Sequence, residues 1–354
     1  MYPDFQYLLH GITGIDMPSW LSIFKTFGLL VALAFLAAAR VLTLELKRKE
    51  GQGLLKPVLK LVKKKDKDGV TTEKNELFYP HMLITEIVFA AAIGGIIGAK
   101  LFNAFETWNE FIADPIGNLF SRSGLTFYGG FIVATIVLYY YTRKYKIPFK
   151  HLCDAAAPAI MIAYGIGRLG CQLSGDGDWG IYNTAYVTVA DGSLRAATPA
   201  DANYIAHVTN GTPGIPYTAP AGIPRWLVAM NYPHNVGYEG MPIKDCKGDY
   251  CNVLPVAVYP TPIYEATAAM LLFGLMWALR KKIKYPLHMF ALYLIFAAVE
   301  RFLVELVRVN SKYDLGFIHP SQAELISVFL FISGVGILLF YRKKDVIEEP
   351  LPVV

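Results

Sequence analysis

Seven apolar stretches of the chain are long enough, at about 17–25 residues each, to cross a bilayer as helices. They run at about 21–40, 82–105, 125–142, 152–172, 261–279, 286–308 and 321–341, and between them polar and basic residues return at once. This rhythm predicts an all-α membrane protein with seven transmembrane helices. The first run starts about 20 residues in and has no small-residue cleavage site behind it, so it reads as a retained span. Two polar insertions depart from a plain bundle. The first, 41–81, is a basic loop in which KKKDKDG at 63–69 reads as a solvated turn. The second, 173–258, is rich in Gly, Pro, Asn and Tyr, and YVTVADGSL at 186–194 suggests short strands about a turn. The expected organisation is an N-terminus and first span (1–40), a basic loop (41–81), spans two to four (82–172), an irregular head (173–258), spans five to seven (259–341) and a tail (342–354).

Basic residues set the orientation. Segments 40–74, 143–150, 280–284 and 342–344 hold 22 of the 33 lysines and arginines and fall on one side; the other side holds 6, among them Arg122, Arg225 and Lys312. The N-terminus and the head are therefore expected outside and the C-terminus in the cytoplasm. The chain is 54% hydrophobic and only 17% charged, against about 25% charged for soluble domains. The net charge of +5 is accounted for by topology, so no nucleic-acid partner is expected. Cys153 and Cys171 share one predicted helix, roughly 27 Å apart at 1.5 Å per residue, and cannot pair. Cys246 and Cys251 lie in the head and are open to either state, a small disulfide loop in an oxidising compartment or two thiols.

Charge inside the apolar runs is the chemical anomaly. An ionised group in hydrocarbon costs at least about 2.5–3.5 kcal/mol and usually faces a bundle interior or a substrate path. Arg168 interrupts IMIAYGIGRLGCQ and Arg301 interrupts FALYLIFAAVERFLVELV. On the expected topology both lie roughly 22–24 Å above the inner surface of an approximately 30 Å core. Glu305 and Arg308 extend the Arg301 stripe, Lys100 lies at a similar height, and Glu265 and Lys25 lie near outer ends. Ionisable groups at one level suit an outer-leaflet lipid headgroup better than an ion path, which needs them through the full thickness. Arginine meets phosphate oxygens bidentately and keeps its charge when desolvated. For Arg301 and Glu305 the alternative is an i, i+4 ion pair that only pins helices. A transporter is disfavoured because no internal repeat is evident.

Four blocks now line up: GLTFYGG (124–130), GRLGCQLSGDGDWG (167–180), YPTPIYEA (259–266) and RFLVELVR (301–308). In order and spacing they resemble the prolipoprotein diacylglyceryl transferases of bacterial inner membranes, with their GR-x-GN-x(3–4)-GE-x(2)-G and R-F-x(2)-E-x(2)-R signatures. The resemblance spans about residues 20–341. It implies transfer of a diacylglyceryl group from phosphatidylglycerol to the lipobox cysteine thiol of a prolipoprotein. The partners it implies are phosphatidylglycerol, prolipoprotein signal peptides and membrane lipids, with the site open to the outer leaflet. It implies no metal and no other cofactor. By motif, Arg168 and Arg301 would hold the lipid phosphate and stabilise the leaving group, and Glu305 would orient Arg301. Asp176 and Gly180 would take the signature's acidic and final glycine positions. Gly129 and Gly130 would start a helix tightly near the headgroup, and Glu265 would join the substrate-binding set.

The departures concern proton transfer. Tyr128 stands where the family has histidine, Cys171 where it has asparagine, Asp176 where it has glutamate, Tyr259 for a second histidine, and Phe27 for a polar aromatic near the first span. Tyrosine, with a pKa of about 10, is a poorer base than histidine at about 6.5, although neighbouring arginines would lower it and the hydroxyl can donate to the lipid. Tyr128 is thus the candidate catalytic residue beside the arginines. It is also the residue that would mark the rival reading, a non-catalytic relative that binds phospholipid or lipoprotein. Cys171 reads as a small hydrophobe. IHPSQAE at 318–324 imitates the family's histidine-proline block but reads as a helix start, Ser321 capping and Glu324 three residues on.

Overall fold

The computed structural model describes residues 1–65, 71–121, 126–308, 313–314, 316 and 319–341. Side chains at 58–65, 71–75, 120, 127 and 128 fall outside that description. Residues 66–70, which hold most of the turn expected at 63–69, Arg122, Lys312 and the tail from 342 onward also lie outside the described residues.

Helices dominate. In chain order the elements are α1 (Phe5–Thr13), α2 (Thr26–Gly51), β1 (Val58–Lys65), β2 (Thr71–Phe78), α3 (Ile84–Glu106), α4 (Trp108–Ala113), α5 (Pro115–Phe120), α6 (Phe127–Lys144) and α7 (Phe149–Ser174). They continue with β3 (Tyr182–Thr188), β4 (Leu194–Ala196), α8 (Ala202–Val208), β5 (Met241–Pro242), β6 (Asn252–Val253), β7 (Val256–Val258), α9 (Thr261–Leu279), α10 (His288–Glu305) and α11 (Gln322–Phe340). Among the described residues five helical stretches are long and apolar enough to cross a membrane: Thr26–Gly51, Pro80–Glu106, Phe149–Ser174, Thr261–Leu279 and Gln322–Phe340. Large apolar side chains such as Leu36, Phe89, Ile96 and Phe329 point outward from them, as suits a lipid surround. The remaining two expected spans are helices of 18 residues, α6 and α10. Glu300, Arg301 and Glu305 lower the apolar content of α10, and Arg143 and Lys144 that of α6.

The first span needs correction. It begins at Thr26 and runs on to Gly51, eleven residues beyond the expected end at 40. Residues 41–50, VLTLELKRKE, are good helix formers with no glycine or proline. Arg48 and Lys49 occupy the last turn, where cations favour the helix dipole. Within the basic loop β1 and β2 pair antiparallel from Val58↔Phe78 to Lys65↔Thr71, so residues 63–65 of the expected turn lie in β1.

Two compact units divide the chain, one of residues 1–37, 160–283 and 291–340, the other of residues 38–159, 284–290 and 341–354. In the second, α3 and α6 pack along a seam of small residues. A Cβ on Gly98 would come within 2.3 Å of the Gly129 carbonyl oxygen, and one on Gly129 within 2.3 Å of Phe102 Cβ. Also in this unit, Asp154 of α7 accepts from the backbone N–H groups of Leu287 (2.9 Å) and Phe290 (3.1 Å) at the start of α10, and meets Lys49 at 3.5 Å.

The first unit contains the head. Its strands order β4-β3-β7, all antiparallel. The expected turn follows β3, where Val189 N donates to the Ser193 carbonyl oxygen at 2.9 Å. Cys246 and Cys251 form a disulfide, and Cys153 and Cys171 are free thiols. The helix start before the last span is a capping box: Ser321 N donates to Glu324 Oε2 (2.8 Å) and Glu324 N to Ser321 Oγ (3.2 Å). Its predicted role for Ser321 and Glu324 is borne out.

Candidate active site

Arg168 sits in the last two turns of α7, where Gly165 and Gly170 let neighbours approach. A Cβ on Gly165 would meet Ala269 of α9 at 3.1 Å, and one on Gly170 would meet the Phe27 ring at the same distance. The chain leaves α7 through GDGDWG. Gly175 (φ +66°) and Gly177 (φ +92°) adopt left-handed backbone there, which glycine takes without strain. The loop is then fixed. Thr261 Oγ1 donates to the Asp178 carbonyl oxygen (2.8 Å), Gly180 N to Tyr259 O (2.8 Å) and Ile181 N to Val307 O (2.8 Å). A Cβ on Gly180 would lie 2.6 Å from Val307 O and 2.8 Å from Thr261 Cγ2. Gly180 is thus required by close backbone approach at the point where the loop meets the end of α10.

This loop delivers Asp178 to two arginines. Arg168 Nη1 pairs with Asp178 Oδ2, and Arg308 Nη2 pairs with Asp178 Oδ1 at 2.7 Å. Glu265 of α9, fully buried, completes the arrangement. Arg168 Nε lies 2.6 Å from its Oε2 and Arg308 Nη1 3.4 Å from its Oε1. Two carboxylates thus bridge two guanidiniums, each arginine touching both acids. Burial alone would raise the Asp178 carboxyl, but Arg168 and Arg308 together hold it below the usual carboxylate range. On α10, Arg301 Nη2 meets Glu305 Oε2 at 3.2 Å, the expected i, i+4 contact. Within this cluster two guanidinium nitrogens are buried with no hydrogen-bond partner among the described residues, Arg301 Nη1 and Arg308 Nε. Tyr164, one turn before Arg168, donates its hydroxyl to Glu265 and lies 3.4 Å from Glu300 Oε1. The Arg168 guanidinium stands 5.3 Å from the centre of its ring.

The sequence expectations fare unevenly against this geometry. The Arg301–Glu305 contact is the one expected; Arg168 and Glu265 meet each other, a contact that the sequence did not predict. Asp176 does not reach an arginine; it stays exposed, accepting a long 3.4 Å bond from Asp178 N. Asp178 is the aspartate of this loop that meets the arginines, the two left-handed glycines turning it inward. Cys171, Asp176 and Asp178 offer three ligand atoms within 4.8 Å of one another, but Asp178 is already neutralised by two arginines, a poor setting for a cation. Gly129 and Gly130 lie in the first turn of α6, buried against α3. Tyr128 is the second residue of α6; its side chain lies outside the described residues. Lys25 pairs with Asp4 (3.1 Å) and Tyr250 (3.2 Å), tying α2 to the head. Lys100 donates to the carbonyl oxygens of Asn118 (3.2 Å) and Ser121 (2.8 Å). Sequence reasoning missed Asp178, Arg308, Tyr164 and Glu300 as site residues. Only Arg308 carried a signal, as the continuation of the Arg301 stripe.

Long apolar helices and largely buried arginines braced by carboxylates define a multi-pass membrane protein with a charged cluster in its interior. The family model of prolipoprotein diacylglyceryl transferase matches residues 19–340; the chain belongs to that family. A phosphatidylglycerol–prolipoprotein diacylglyceryl transferase of Leptospira interrogans is 28% identical over 198 residues, 49% of this chain, so the chain spans about half (54%) of that relative's length. Proteins of the same name from Dehalococcoides mccartyi (26% identical, 76% of this chain and 80% of theirs) and Chlorobaculum tepidum (26% identical, 75% of each) align more widely.

Proposed function

We propose that the chain transfers the diacylglyceryl group of phosphatidylglycerol to the lipobox cysteine thiol of a prolipoprotein. Arg168 and Arg301 hold the lipid phosphate and Arg308 adds to their field. The observation that carries this reading is the pair of buried guanidinium nitrogens, Arg301 Nη1 and Arg308 Nε, without protein partners among the described residues. A buried charged donor without an acceptor costs several kcal/mol, and phosphate oxygens are the acceptors that guanidinium geometry fits best. Arg168 is held from two sides by Asp178 and Glu265, which fixes it before substrate arrives. In the reaction the thiol sulfur attacks the glyceryl carbon bound to phosphate. The carbon–sulfur bond forms, the carbon–oxygen bond breaks, and the electron pair leaves on a phosphate oxygen of glycerol phosphate. Cations already in place stabilise that charge without reorganising. Seven crossings, an external N-terminus and head, and a site open to the outer leaflet of a bacterial inner membrane complete the proposal.

The full chain, reconstituted with phosphatidylglycerol and a lipobox peptide, is expected to add one diacylglyceryl mass to the peptide thiol and release glycerol phosphate. A folded protein that binds the lipid but leaves the peptide mass unchanged would contradict it and establish the non-catalytic reading that Tyr128 marks.

A further inference from the structure

The site holds more carboxylate than its arginines need. Arg168, Arg301 and Arg308 face Asp178, Glu265, Glu305 and Glu300, three cations against four acids. Asp178, Glu265 and Glu305 each touch a guanidinium. Glu300, only 8% exposed, makes no ion pair among the described residues; its hydrogen-bond contact is the Tyr164 hydroxyl at 3.4 Å. That hydroxyl also reaches Glu265, so it stands between the arginine-bound acid and the one without a cation. The groups facing Glu300 are Tyr164 and Arg168 from α7, Glu265 from α9, and Arg301 from its own helix, with Tyr293 two turns earlier. Neither Tyr164 nor Glu300 belongs to the family signatures that this chain matches.

We propose that Glu300, reached through the Tyr164 hydroxyl, is the proton acceptor for the incoming thiol, supplying the base that the histidine-to-Tyr128 replacement removes. This assignment rests on the transferase reading. A lipid phosphate bound to the arginines adds a negative charge to a site that already has one over, so the site gains by taking up a proton. Glu265 is already held by two guanidiniums, whereas Glu300 makes no ion pair among the described residues. In the step, the S–H bond breaks and its proton goes to the Tyr164 oxygen while the Tyr164 proton passes to Glu300 Oε1. The sulfur keeps the electron pair that forms the thioether, and glycerol phosphate leaves with the pair from the broken carbon–oxygen bond. Glu300 then returns the proton to the solvent or the departing phosphate.

The test compares the full-length protein with Glu300→Gln and Tyr164→Phe on two peptides, one with the lipobox cysteine and one with selenocysteine, whose selenol is ionised at neutral pH. With the cysteine peptide each variant is expected to slow transfer roughly 10²-fold or more, the usual worth of a positioned base. The variants' rates should rise with pH toward the thiol pKa of about 8.5. With selenocysteine both variants should recover to within about tenfold of the unsubstituted protein, because no proton remains to be taken. Glu300→Asp should restore part of the cysteine rate. Unchanged rates in Glu300→Gln, or an equal loss on both peptides, overturn the assignment. Should Glu300→Gln fail to fold, Tyr164→Phe gives the same discrimination. An unsubstituted protein inactive on both peptides refutes the transferase reading itself, and the assignment with it.

Discussion

A methyl group at Gly180 would be pressed against Val307 O and Thr261 Cγ2, and the loop it anchors carries Asp178. Gly180→Ala is therefore expected to destabilise the protein by about 1–3 kcal/mol, the usual cost of overpacking, and to reduce transfer. Thermal unfolding in detergent checks the first, and an unshifted midpoint refutes the close-approach account. Asp178 makes a second prediction. Its folded pKa is depressed by Arg168 and Arg308, so its stabilisation is present above the unfolded value of about 3.9 and is lost as pH falls toward the lower folded value. Asp178→Asn should remove this limb of the acid stability curve. If the two proteins lose stability in parallel below about pH 4, the ion pairs contribute nothing there. Arg168 and Arg301 were legible in the sequence because charge in an apolar run is an energetic anomaly. Asp178 was not: which aspartate of GDGDWG turns inward depends on backbone φ at Gly175 and Gly177, and spacing does not encode that. Tyr164 and Glu300 were hidden among apolar neighbours, their relation being purely spatial.

The helices follow the apolar runs closely wherever a glycine, proline or polar cluster ends the run. Where helix formers continue past the apolar stretch, as in residues 41–50, hydropathy stops before the helix does, so α2 was underestimated. The Asp154 carboxylate shows how one side chain holds an element in place. It satisfies two N–H groups at the start of α10 that have no intrahelical partner and neutralises a buried Lys49. Asp154→Ala leaves that lysine without its acid and is expected to cost about 3–5 kcal/mol, the penalty for breaking a buried pair from one side. A shift of less than about 1 kcal/mol in unfolding would show the pair to be solvated and weak.

For the whole molecule, the uneven distribution of basic residues makes a definite prediction of sidedness. In a background with the free thiols removed by Cys153→Ala and Cys171→Ala, cysteines placed one at a time by Lys244→Cys in the head and Lys282→Cys after α9 should react differently with a membrane-impermeant maleimide in intact spheroplasts: the first labelled, the second protected until the membrane is opened. The reverse pattern would invert the topology and move the site away from the outer leaflet. The central claim, that braced arginines bind the lipid phosphate and drive its departure, is tested most directly by the transfer rate of Arg168→Ala and Arg301→Ala in phosphatidylglycerol proteoliposomes with a lipobox peptide. Each substitution is expected to lower the rate at least about 10³-fold, in line with removal of a group that stabilises developing charge, while the protein stays folded by circular dichroism. Folded variants that transfer at the unsubstituted rate would contradict the account.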